Sequence, residues 1–181
     1  MTFPTPQQKP EDIFDLVDEN DAVIGRERRS VIHREGLRHR AVHLLLYNGK
    51  GEVFLQRRSP AKDMNPDCWD SSCSGHVDSG ETYDVAAVRE LVEELGVVMT
   101  LATLLPIEKI EANPGTANEF VQVYRGRHDG PFVLCPEEIT DGRFFPPAEI
   151  DARIEAAPRE FSPAFRHIWG RVRDRFPSAQ A

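Results

Sequence analysis

The sequence predicts an α/β protein in which helices pack on a mixed β-sheet. Three observations carry this expectation. Short apolar runs of strand length occur at residues 41–47, 53–56, 105–111 and 119–124. One long helical stretch, residues 82–95, lies between the first pair and the second. A second periodic stretch, 163–175, places Phe165, Ile168, Trp169 and Val172 at helical spacing. Strands on both sides of a helix, with another helix after them, make a layered sandwich around one sheet.

Taken in order, residues 1–10 read as a flexible N-terminal arm and 11–181 as a single domain. Residues 13–17 and 22–25 alternate as short strands around a turn at Glu19, Asn20 and Asp21. A short helix at 30–34 is stopped by Gly36. The run 41–47 turns at Asn48-Gly49-Lys50-Gly51 into 53–56, forming a hairpin. A loop over 59–67, with Pro60 and Pro66, leads to Trp69, which either closes the core or stacks on a ligand. The central helix starts from Thr82 as N-cap and stops at Gly96. Beyond it, strands are expected at 97–101, 105–111, 119–124 and 143–145. A helix at 148–156 follows Pro146-Pro147, and the amphipathic 163–175 helix comes after it.

Composition narrows the function classes. The chain has 181 residues, 40% hydrophobic and 29% charged, ordinary for a soluble domain. A net charge of −8 leaves no basic excess for a phosphate backbone, so no nucleic-acid partner is expected. No apolar run reaches the roughly 18 residues of a membrane span, and the first ten residues lack a signal-peptide core. Cys68, Cys73 and Cys135 are odd in number and lack a framework spacing, so reduced thiols and a cytoplasmic location are expected. A homodimer is compatible with the sequence, but no segment specifies one.

On the 82–95 helix, Val85, Val88, Leu91, Val92 and Leu95 project to one side and Glu90, Glu93 and Glu94 to the other. Like charges at such spacing weaken a helix, and a cation among them reverses the sign of that cost. Hard oxygen donors of this kind suit Mg²⁺ or Mn²⁺. Arg89 is expected to point away from the acidic centre and pair with Glu81, tying the 75–81 loop to the helix. The bland alternative is a solvated acidic helix face.

The spacing argues against that alternative. Gly75, Glu81, Arg89, Glu90, Leu91, Glu93, Glu94, Gly96 and Val97 fill every fixed position of G-x5-E-x7-R-E-U-x-E-E-x-G-U, with U aliphatic. In this the chain resembles the Nudix family. The resemblance implies an α/β/α sandwich around a mixed sheet. It also implies metal-dependent hydrolysis of the diphosphate linkage in a nucleoside or other organic diphosphate. The metal ligands would be Glu90, Glu93 and Glu94, with the Gly75 carbonyl as a further candidate. Glu81, Arg89 and Gly96 would be structural.

Residues 14–94 also resemble type I isopentenyl-diphosphate isomerase. The likeness rests on Asp15-Leu-Val-Asp-Glu-Asn-Asp21, His39-Arg-Ala-Val-His43, Arg57-Arg58-Ser-Pro-Ala-Lys62, and Trp69 leading into Ser74-Gly75-His76. It implies a second metal site at His33, His39, His76 and Glu119, and phosphate contacts from Arg58 and Lys62. Arg57 is the third cation after the same strand. Structural roles are the alternative for each of these residues, and for His43. The isomerase cysteine position is Ser74 here, and one glutamate of the isomerase Glu-x-Glu pair is Ala117. A serine hydroxyl is too weakly acidic to replace a thiol simply. These departures, beside a complete motif, favour a hydrolase over an isomerase, and the intact glutamates weigh against a purely binding module. Glu93, Glu94 and Glu119 are the candidate general bases.

Overall fold

The computed structural model describes residues 12–176, so the arm expected at 1–10 lies outside the described residues. The chain opens with a hairpin, β1 (Ile13–Val17) and β2 (Val23–Arg28), followed by α1 (Arg29–Glu35). Gly36 ends α1 in the left-handed conformation, as its position suggested. The sheet is formed by β3 (His39–Tyr47), β4 (Val53–Arg58), β5 (Trp69–Asp70), β6 (Cys73–His76), β7 (Leu104–Ile110), β8 (Glu119–Arg127) and β9 (Ile139–Phe145). Its main path runs β5-β4-β3-β8-β7, with β6 on β3 and β9 on β4. β3 and β8 are parallel and the other pairs antiparallel, which makes the sheet mixed.

Alternation along β3 separates two cores. Ala41 and Leu45 face one side, where α3 (Pro147–Ala156) and α4 (Pro163–Val172) supply Ile150, Phe165, Ile168 and Trp169. Val42, Leu44 and Leu46 face the other, against Ala86, Ala87, Leu91 and Leu95 of α2 (Tyr83–Leu95). The result is the expected α/β/α sandwich. Thr82 caps α2 by accepting from the Val85 N–H, and Gly96 closes it at φ +64°.

Two expectations change. Residues 97–101 form no strand. Val97 and Met99 are buried and Val98 is 80% exposed, so the period-two pattern is present. The Val97 N–H, however, bonds back to Leu91 O, and no strand among the described residues pairs with the segment. The buried side of α2 is also rotated from the expected apolar stripe. Val85 is 54% exposed, whereas Glu90 and Glu94 are buried beside Leu91 and Leu95. The helix rests on β6 and β3 through an arc that includes two of its carboxylates. Among the described residues, no helix is long and apolar enough to cross a membrane.

Candidate active site

The end of β6 brings Gly75 and His76 to the acidic edge of α2. A side chain at Gly75 would displace the Glu90 carboxylate, because a Cβ at this position would lie 1.9 Å from Glu90 Oε1. Glu94 accepts from Gln56 Nε2 and from the Ser74 N–H, each at 3.2 Å. Burial, then the neighbouring Glu94 charge, pushes the Glu90 carboxyl well above the usual range. Burial, then the Glu138 charge, pushes Glu94 up to about 7. Two buried carboxylates, Glu90 against Gly75 and Glu94 on the Ser74 N–H, form a hard-oxygen donor set that suits a divalent cation. Glu93 is less buried and lies 3.1 Å from Arg89 Nη1.

Arg89 pairs with Glu81 as expected, at 2.9 and 3.0 Å, and also donates to His76 O at 2.9 Å. It does not point away from the acidic centre. The same guanidinium reaches Glu90 at 2.7 Å as well as Glu93, because its five-donor fork can span several carboxylates at once.

On the other side of β6 lies a cavity of about 260 Å³ lined by His33, His76 and Glu119. His33, His39 and His76 each place a ring nitrogen within 4.8 Å of the others. Four elements, α1, β3, β6 and β8, supply these histidines and Glu119. The parallel register sets His39 of β3 opposite Glu119 of β8, and the antiparallel register sets Ala41 opposite His76 of β6. His39 Nδ1 lies 2.9 Å from the Leu37 carbonyl oxygen, which can only accept, so the proton sits on Nδ1. Its Nε2 is buried without a hydrogen bond and faces Glu119 Oε1 at 3.4 Å. Two electron-rich atoms facing each other are the arrangement a cation relieves. His76 Nε2 is 3.2 Å from the same Glu119 oxygen and 3.3 Å from His33 Nε2. Burial pushes His76 down to about 4, which keeps its ring neutral near pH 7. His43 also lines the cavity but lies outside the three-histidine group, with Nδ1 2.8 Å from the Ser71 hydroxyl.

The cavity also receives Arg58, Lys62 and Arg29. Arg58 is anchored by Met64 O and Asn65 O, and Lys62 is paired with Glu138. Arg57 is a correction, because it turns to Asp67 at 2.9 Å and does not line the cavity. Both residues lie in β4, where successive side chains project to opposite faces, so Arg57 and Arg58 part. Arg29 was missed by the sequence reading. It sits one helical turn before His33 on α1, a spacing that would have flagged it, and pairs with Asp63 at 2.9 Å. Trp69 is only 3% exposed and packs on Phe145, so it closes the core. Ser74 lines the cavity, while Cys73 is fully buried among Val42, Leu44 and Leu91. Their alternation along β6 is the one expected of an extended segment.

Comparison with known proteins agrees with the family and the fold. A NUDIX domain family model matches residues 37–165. A Nudix hydrolase of Deinococcus radiodurans is 36% identical over 143 residues, covering 79% of this chain and 84% of that protein. Isopentenyl-diphosphate Delta-isomerase 1 of Aromatoleum aromaticum is 33% identical over 154 residues, covering 84% of this chain and 87% of the relative. The crystal structure of DR0079 from D. radiodurans superposes with a TM-score of 0.72 at 34% identity, covering 81% of this chain and 90% of that one.

Proposed function

The chain belongs to the Nudix family of metal-dependent hydrolases, and from that premise we propose that Glu90, Glu93, Glu94 and the Gly75 carbonyl hold Mg²⁺ or Mn²⁺ against the diphosphate linkage of its substrate. The observation that carries this is the pair of buried carboxylates packed on β6, Glu90 against Gly75 and Glu94 on the Ser74 N–H. When bound, the divalent ion screens the diphosphate oxygens and lowers the pKa of a coordinated water. The protein's own groups do the rest. Arg89 holds the loop at Glu81 and His76 O, which fixes where the Gly75 carbonyl points.

Arg58, Lys62 and Arg29 place positive charge along the cavity wall, where a second phosphate would lie. Glu93, Glu94 and Glu119 are the carboxylates available to take a proton from water. His33, His39, His76 and Glu119 form the second candidate cation site, supported by the orphaned Nε2 of His39. The substrate is a nucleoside or other organic diphosphate, and its organic group stays open.

A panel of diphosphate compounds with Mg²⁺ or Mn²⁺, read by product identity, tests the reading. Release of two phosphorylated products supports it, and no turnover across the panel with either ion would count against it. The isomerase is the second reading, favoured by the Aromatoleum relative. Ser74 faces the cavity where the isomerase acid would stand, and Cys73 faces the core, which weighs against it. Double-bond migration in isopentenyl diphosphate without phosphate release would reverse the order.

A further inference from the structure

The Asp15-Leu-Val-Asp-Glu-Asn-Asp21 stretch has no part in the chemistry above, and it precedes residues 37–165, the span matched by the family model. In the fold it spans the end of β1 and the turn to β2, and β1 runs beside the 77–81 loop. The Ser79 N–H bonds Ile13 O at 3.0 Å, and Phe14 bridges to Asp78. Asp15 is 7% exposed. Its Oδ1 accepts from the Ser79 hydroxyl at 2.7 Å and its Oδ2 from the Gly80 N–H at 3.1 Å. Arg26, 3.4 Å away, balances its charge. Gly80 stands at φ +85°, a conformation that glycine adopts without the steric cost other residues incur. The fully buried Phe14 ring stacks on His76 with centroids 4.6 Å apart.

The loop is thus held from two directions. Within the motif, Arg89 grips Glu81 and His76 O, and Glu81 accepts from the Asp78 N–H. From outside the motif, Asp15 grips the middle of the loop with charge-assisted bonds. Gly75 and His76 lead directly into the segment both grips define.

We propose that Asp15 is a positioning residue, which through Ser79 and Gly80 sets the course of the 75–81 loop and so the placement of the Gly75 carbonyl and the His76 ring. The effect on cation binding rests on the hydrolase reading, whereas the effect on the loop does not. The test uses the full chain as wild type, Asp15→Ala, Asp15→Asn and Ser79→Ala. Mn²⁺ affinity is measured by calorimetry and amide hydrogen exchange at residues 77–81 and in α4 by mass spectrometry. Asp15→Ala should weaken Mn²⁺ binding about 10- to 100-fold, the range for groups that orient a metal site. Exchange should quicken at 77–81 and stay at the wild-type rate in α4. Asp15→Asn keeps one acceptor oxygen and should recover part of the affinity, which a merely structural loss would not predict. A folded Asp15→Ala protein with wild-type affinity and loop exchange would overturn the proposal. If Asp15→Ala does not fold, wild-type behaviour in both Asp15→Asn and Ser79→Ala overturns it. Absence of Mn²⁺ binding in the wild type would sink the hydrolase reading and the cation half of this one, leaving the exchange data to decide the loop half.

Discussion

The acidic edge of α2 and the histidine cluster both border β6, yet they are assembled by opposite means. Glu90, Glu93 and Glu94 come from little more than one turn of a single helix, so their proximity follows from the 3.6-residue period. His33, His39, His76 and Glu119 come from α1, β3, β6 and β8, and meet only because the strands are in register. A one-residue slip of β8 would turn Glu119 to the opposite face and dismantle the second group while leaving the first intact. A site built on one helix is set by local geometry, and a site built across a sheet by the whole fold.

The largest expected effect lies on the local side. Glu93→Gln should cut turnover with Mg²⁺ by about 10³-fold, the scale for removing one electrostatic stabiliser, while the melting temperature stays close to wild type. Steady-state kinetics on the substrate found in the panel would show this, and undiminished turnover would remove Glu93 from the mechanism. Next comes the dispersed side. His39→Ala should lower activity about 10- to 100-fold and reduce the number of bound divalent ions by one in a titration. An unchanged ion count would mean the histidine cluster is structural, and the two regions would then differ in function as well as construction.

A third test separates the scaffold from both. Asp21, in the β1–β2 turn, accepts from Arg40 at 2.6 Å and from the Tyr83 hydroxyl at 2.9 Å, and Lys109 pairs with it. Asp21→Ala should cost about 2–4 kcal/mol in urea melts, since it strips charged groups of their partner. Burial opposes ionisation of Asp21, but bonds from Lys109, Arg40 and Tyr83 outweigh it and hold the carboxyl below its ordinary 3.8. Its contribution is therefore complete above that value and lost as the pH falls below it, because the unfolded chain takes up the proton first. Asp21→Asn should flatten that acid limb, and an unaltered limb would rule out this carboxylate as its source. The smallest effect belongs to Arg57. Arg57→Ala should move KM by less than about 2-fold, whereas Arg58→Ala should raise it about 10-fold, the worth of one lost charged hydrogen bond.

The same contrast explains what the sequence made legible. Thr82, Gly96 and the glutamate spacing could be read directly because caps and helical period are local. The Glu81–Arg89 pair followed from the motif, but the inward reach of Arg89 depended on how α2 seats on β6. The rotation of α2 that exposes Val85 and buries Glu90 was hidden for the same reason. Residues 97–101 carried an authentic strand pattern, and only the fold shows that no neighbour pairs with them. Arg57 and Arg58 were read as following a strand that ends at 56, whereas β4 continues through both, and its alternation sends one out of the cavity. Arg29 and Asp15 were passed over because each acquires its role from a partner far along the chain, Asp63 for one and Ser79 for the other.

The contact between Gly75 and Glu90 has a consequence for how this protein can change. Since even a single methyl group at position 75 would collide with a buried carboxylate, no side chain of any chemistry fits there without displacing the Glu90 carboxyl group from its seat. A library randomised at that codon and selected for turnover should return glycine alone, although the residue brings no side chain to the reaction.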